Sequence, residues 1–166
     1  MTERWDGTAT LAVKGDGRPS WEEYFLGIAV AVAARADCRR ARYGAVIVDK
    51  GNRIISTGYN GGPSLGPSCL RGQCPRGLLS AEQLAHNSAD YSNCVAVHAE
   101  TNAIAYARSD CRGAVMYIAE ADGNHHSPCD ACSKLIIAAG ISLVVWGNGG
   151  HLAVTPSGLH GMGLVG

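Results

Sequence analysis

Charge is what this sequence has little of. Asp, Glu, Lys and Arg make up 17% of its 166 residues, below the usual quarter, and 14 basic residues balance 14 acidic ones. Without a net positive field nothing gathers a polyanion, so no polynucleotide partner is expected, although a pocket for a single nucleotide is compatible with neutrality. Because 46% of the residues are hydrophobic, the low charge also excludes a disordered chain. It predicts that some nominal surface is buried between subunits, and hence a homo-oligomer. No apolar run reaches the roughly 18 residues of a membrane span, so no membrane partner is expected. The first residues lack a basic start followed by an apolar core, and a cytoplasmic location is the expectation.

Cysteine, by contrast, is plentiful. Seven cysteines are an odd number for a disulfide framework in a reducing compartment, which favours metal ligation. The length fits one compact domain. Residues 1–19 carry no apolar period and read as a flexible arm, 20–147 as the folded domain, and 148–166 as a Gly-rich tail. Ser20 and Glu23 form a capping box before a helix over about 21–35. Residues 44–49 and 53–59 are β-branched runs joined by Lys50, Gly51 and Asn52, a hairpin. Residues 61–79 hold three Pro, five Gly and two Cys, a long loop that needs something other than a core to order it. Ser80 and Gln83 suggest a second capping box. A helix over 98–108 follows, then a strand over 114–119, a helix over 128–139 with Pro128 in its first turn and Gly140 past its end, and a strand over 141–146. The last three form a βαβ unit with parallel strands.

Two short motifs open helices in this scheme. One is His98-Ala99-Glu100 and the other Pro128-Cys129-Asp130-Ala131-Cys132. One imidazole and two thiolates make a three-ligand zinc set with a fourth tetrahedral position left for water. Cys129 and Cys132 are three apart and share a helix face, in a first turn where the dipole favours thiolate. Glu100, two residues after the ligand histidine, reaches that open position without binding the metal, as a proton shuttle does. Alone, His98 would read as a structural histidine and the Cys-x-x-Cys as a redox pair or half a structural zinc site. Together the two motifs match the signature of zinc deaminases.

With Cys38 to Ile47, the Gly58-Tyr59-Asn60-Gly61-Gly62-Pro63 loop, Cys94 and Lys134 to Ile137, these motifs make the sequence resemble the cytidine and deoxycytidylate deaminase superfamily. The Gly-Tyr-Asn-Gly-x-Pro loop makes it most similar to the deoxycytidylate branch, over about residues 38–146. The resemblance implies a three-layer α/β/α fold with a five-stranded mixed sheet, and hydrolytic conversion of dCMP to dUMP with release of ammonia. It also implies that Ala99 N–H holds the base edge, that Asn60 contacts the sugar, and that Arg39, Arg40 or Arg42 meets a 5′-phosphate; a solvated surface cluster is the other reading of those arginines.

Some nucleotide deaminases carry a second, structural zinc, and Cys38, Cys69, Cys74, His86 and Cys94 are the candidates here, with buried free thiols as the alternative. Cys111 stands apart and reads as structural. The sequence departs from the branch at 119–127, where an insertion containing His125 and His126 precedes Pro128. These histidines are expected to shape substrate choice, which keeps a modified cytidine nucleotide or another aminated heterocycle in view. A zinc-stabilised module without catalysis is a further alternative, against which Glu100 argues.

Overall fold

The computed structural model describes residues 17–86, 91–122, 126–147, 149–155 and 158–161. Almost all of the expected arm therefore lies outside the described residues.

Helix α1 (Trp21–Ala33) begins at the Ser20–Glu23 capping box, whose two reciprocal bonds measure 3.2 and 2.8 Å. Strands β1 (Tyr43–Val48) and β2 (Ile54–Tyr59) form the hairpin. Two short helices, α2 (Pro75–Leu78) and α3 (Ala81–His86), interrupt the long loop, and Ser80 and Gln83 cap the second as the spacing predicts. Then come α4 (Ala99–Ala105), β3 (Val115–Glu120), α5 (Asp130–Ala138) and β4 (Leu143–Trp146). β3 and β4 pair in parallel across the α5 crossover, and every other pairing is antiparallel.

The mixed sheet has the order β2-β1-β3-β4-β5-β6. Here the expectation from the sequence needs correction. The stretch read as a Gly-rich tail supplies β5 (Gly150–Thr155) and β6 (Gly158–Gly161), and β6 is a sixth strand beyond the five expected. A Gly-rich stretch shows little apolar alternation; β5 joins β4, and β6 joins β5, by backbone pairing, which period cannot reveal.

β1 and β3 are buried on both faces, so they read as continuous apolar runs. Ala45, Ile47, Met116 and Ile118 face one way, into a core shared with α4 and α5. Val46, Val48, Tyr117 and Ala119 face the other, against Phe25 and Ala29 of α1. Two glycines let the layers close. A Cβ on Gly44 would stand 2.1 Å from Ala29 O, and one on Gly58 would stand 2.3 Å from Ala103 N and 2.4 Å from Ala99 O. α4 thus rests directly on β2 at Gly58, which fixes the height of the helix that carries Glu100. The variant Gly58→Ala is expected to lose about 1–3 kcal/mol of stability, since backbone must move to admit the methyl. A melting temperature unchanged from wild type would contradict this packing.

Candidate active site

His98 and Cys129 occupy equivalent places, at the N-caps of α4 and α5. Both are extended, with φ, ψ of −68°, 156° and −69°, 165°, and neither side chain caps its own helix. The expected helix start at Pro128 therefore falls two residues late, at Asp130. The delay matters, because an N-cap side chain leans toward residue N3. Cys129 thereby reaches Cys132, and both meet His98 from the neighbouring helix. His98 Nδ1 lies 3.5 Å from Cys129 Sγ and 3.4 Å from Cys132 Sγ, and all three ligand atoms fall within 4.8 Å of one another. A tetrahedral zinc with Zn–S of about 2.3 Å and Zn–N of about 2.0 Å sets an N···S edge of roughly 3.5 Å. The donor set fits that ion in both chemistry and spacing.

Cys132 is 2% exposed and Glu100 7%. Burial pushes the Cys132 thiol up, and the nearby Glu100 carboxylate pushes it further. A divalent cation reverses both effects by binding thiolate. Thr101 Oγ1, 3.7 Å from Cys132 Sγ, adds a polar neighbour.

These groups form one wall of a cavity of about 500 Å³, in the range of small-molecule sites. Asn60 and Ala99 line it, but the Asn60 amide also clips β2 to β1: Oδ1 accepts from Tyr43 N at 2.7 Å and Nδ2 donates to Ala41 O at 2.8 Å. His126 lies exposed at the rim, whereas His125 falls outside the described residues. Of the three arginines expected at a phosphate, only Arg40 lines the cavity. Its Nη2 donates to the carbonyls of Arg76, Gly77 and Leu79 and so staples α2. Arg39 donates to Leu70 O at 3.3 Å, and Arg42 is exposed away from the cavity lining.

Sequence reasoning missed four residues of this neighbourhood. Tyr43 stands opposite Glu120 across β1 and β3, and its hydroxyl donates to the Glu120 carboxylate. Burial raises both groups above their ordinary ranges. The signal for Glu120 was an acid ending an apolar strand, in phase with Met116 and Ile118. Arg76 and Tyr91, both in the cavity lining, lie in the loop without period. The Arg76 guanidinium sits 4.3 Å from the centre of the Tyr91 ring, and Tyr91 meets the His98 ring edge-on at 5.4 Å.

Cys38, Cys69, Cys74 and Cys94 line the same cavity, while His86 is exposed at the last position of α3 and lies outside that lining. Each sulfur accepts a backbone N–H: Arg40 N to Cys38 at 3.4 Å, Arg39 N to Cys69 at 3.5 Å, Gly77 N to Cys74 at 3.4 Å, and Ala96 N to Cys94. A Cβ on Gly77 would come within 2.6 Å of Cys69 Sγ. Burial pushes the Cys69 thiol up to about 11 and raises Cys94. At Cys74 burial also acts upward, but the amides of Val95 and Gly77 and the neighbouring thiols outweigh it and the thiol is lowered. These four sulfurs are less tightly gathered than the first set: among the described residues, only His98, Cys129 and Cys132 bring three ligand atoms within 4.8 Å of one another.

Three ligands leave one tetrahedral place open, as catalytic zinc requires, and the buried Glu100 lines the same cavity. A sheet covered by helices that carries this pair of motifs defines a zinc-dependent hydrolytic deaminase. Comparison with known proteins agrees. The chain belongs to the cytidine and deoxycytidylate deaminase family, whose zinc-binding region matches residues 19–148. It is 47% identical over 131 residues to the deoxycytidylate deaminase of Mycobacterium phage D29, covering 78% of this chain and 95% of that protein. It is 37% identical over 131 residues to the deoxycytidylate deaminase of Schizosaccharomyces pombe, again covering 78% of this chain but 37% of that longer one. A crystal structure of dCMP deaminase from the cyanophage S-TIM5, in complex with dCMP and dUMP, superposes with a TM-score of 0.57 at 25% identity, covering 78% of this chain and 82% of that one.

Proposed function

We propose that this chain hydrolyses dCMP to dUMP and ammonia. The observation that carries the reading is the convergence of His98, Cys129 and Cys132 around an open fourth position within reach of the buried Glu100. Residues 19–148, which match the family, contain all four. Zinc, when bound, supplies the Lewis acidity that makes hydroxide available at neutral pH. Glu100 moves the protons. Its carboxylate takes one from water as oxygen adds to C4 of the ring and passes it to N3; it then takes the second from the C4 hydroxyl, which becomes the carbonyl, and gives it to the amino group as the C4–N bond breaks and ammonia leaves. Ala99, at the first position of α4, presents its N–H to the polar edge of the base, because the first four N–H groups of a helix have no partner within it. Asn60 holds the sugar side of the pocket.

The neutral charge supports a small nucleotide rather than a polynucleotide as substrate. Among the described residues, no helix is long and apolar enough to cross a membrane. The seven free cysteines support a reducing, cytoplasmic setting, and the low surface charge supports a homo-oligomer. A second reading, a cytosine nucleotide with a modified ring, is favoured by one observation: the insertion at 119–127 puts His126 and Ser127 at the cavity wall.

We further propose a structural zinc on Cys38, Cys69, Cys74 and Cys94. Four thiolates make a closed tetrahedral set, and backbone N–H donors to the sulfurs support thiolates there.

The substrate reading is tested by measuring ammonia release from dCMP, deoxycytidine and ring-substituted dCMP. A kcat/KM for dCMP about tenfold or more above that for deoxycytidine is expected, the effect of a single charge-assisted hydrogen bond. Equal values would remove the phosphate from the substrate.

A further inference from the structure

We propose that the Thr101 hydroxyl is the hydrogen-bond donor that holds Cys132 as a zinc ligand, which makes Thr101 a positioning residue of the metal site. The inference rests on the zinc reading above and not on the choice of substrate.

Thr101 and Cys132 occupy matching places, each the third residue of its helix, in α4 and α5. Thr101 Oγ1 stands 3.7 Å from Cys132 Sγ, within reach of a hydrogen bond to sulfur. As a metal ligand Cys132 is a thiolate, which has no proton to give, so the hydroxyl is the donor. A helical threonine ordinarily turns its hydroxyl back to the carbonyl three or four residues earlier. Here both carbonyls are already engaged. His98 O accepts from Asn102 N at 2.9 Å, and Val97 O accepts from Gly61 N at 3.1 Å.

Cys132 needs such a donor. It is 2% exposed and, unlike Cys129, is not in the cavity lining, so the solvent of the cavity does not reach its sulfur. That sulfur lies 3.4 Å from His98 Nδ1 and within 4.8 Å of Cys129 Sγ, but both of those atoms turn their lone pairs to the metal. The nearby Glu100 carboxylate has no proton to donate either. Each sulfur of the second cluster accepts a backbone N–H, a donor that an ordinary substitution leaves in place. Among the described residues Cys132 takes a side-chain hydroxyl instead, and a side chain can be exchanged. A hydrogen bond to a charged sulfur is stronger than one to a neutral thiol, so the contact favours the metal-bound state. It also fixes where the sulfur points, because α4 rests on β2 at Gly58 and carries Thr101 with it.

The experiment follows zinc leaving the purified holoenzyme across a series of EDTA concentrations at one fixed pH, in wild type, Thr101→Val and Thr101→Ser. Ammonia release from dCMP is measured on the same samples. Valine keeps the branched shape and loses the hydroxyl, whereas serine keeps the hydroxyl and loses the methyl. In Thr101→Val one ion per chain should leave at about 10- to 100-fold lower chelator, the range for loss of a partner to a metal ligand, and activity should fall in step with that ion. Thr101→Ser should hold its zinc close to wild type. KM for dCMP in the zinc-loaded variants should stay unchanged, since Thr101 is not in the cavity lining.

Zinc held equally by Thr101→Val and wild type would overturn the inference. A loss as large in Thr101→Ser as in Thr101→Val would also overturn it, because packing and not the hydroxyl would then hold the site. Both results leave the donor set standing. A wild type that carries no zinc would overturn the donor set and this inference together.

Discussion

Glu100→Gln is expected to keep its zinc and lose turnover by about 100- to 10,000-fold, the range for removal of a general acid and base. Glutamine matches the carboxylate in shape, so the 7% exposed position stays filled and α4 stays seated on Gly58. What disappears is a group able to carry two protons in turn, one from water to the ring nitrogen and one from the new C4 hydroxyl to the leaving amine. The metal ligands are untouched, since His98, Cys129 and Cys132 form the donor set without it. His98→Ala should lose both metal and activity. Elemental analysis and ammonia release on the same preparations separate the two outcomes. More than about a tenth of wild-type turnover in Glu100→Gln would sink the proton-shuttle role.

Cys69→Ser should lower the zinc content from about two ions per chain to about one, and should raise KM for dCMP as well. The second effect follows from where the cluster lies. Arg76 is two residues after Cys74 and Tyr91 three residues before Cys94, so the cysteines anchor both ends of the segment that presents them. The base of the whole loop is closed by the paired backbones of Gly61 and Val97, at 2.8 and 3.1 Å, and Val97 leads directly into His98. A loop with so little apolar burial of its own depends on such clamps, and a structural zinc is worth on the order of 10 kcal/mol of binding free energy to the state that holds it. Cys111→Ser is the control. This thiol is 6% exposed and packs in the core shared with α4 and α5, so its loss should change stability modestly and leave the metal content alone. Zinc near one per chain in wild type, unchanged by Cys69→Ser, would show that the four sulfurs are thiols only.

The zinc donor set was legible in the sequence because its spacing is local. His98 and Glu100 are two residues apart, Cys129 and Cys132 three, and a helix start puts each pair in one small volume. The capping pairs Ser20–Glu23 and Ser80–Gln83 were legible for the same reason, as each reaches only one turn. The apolar runs of β1 and β3 announced strands buried on both faces. Even within this local reach the start of α5 was misplaced, because Cys129 takes the extended cap position in order to turn its sulfur toward His98.

Contacts between segments distant in sequence were decided only when the helices settled on the sheet. His98 meets the two thiols across 31 and 34 residues, and His151 meets Glu22 at 3.1 Å across 129. Residue spacing is silent at such separations. Strand β5 pairs its backbone with the edge that β4 offers, and β6 pairs in turn with β5, so residues without a period became part of the sheet. Arg76 and Tyr91 are the same case in the active site. Nothing in a stretch of turns and cysteines tells which of its arginines lines the cavity, because that depends on which loop carbonyls Arg40 takes and on where the Tyr91 ring settles beside Arg76. The sequence by itself determined the donor set and the kind of reaction, both properties of residue type and short spacing. The tertiary structure alone decided which arginines and which cysteines line the cavity, since these follow from packing across long loops.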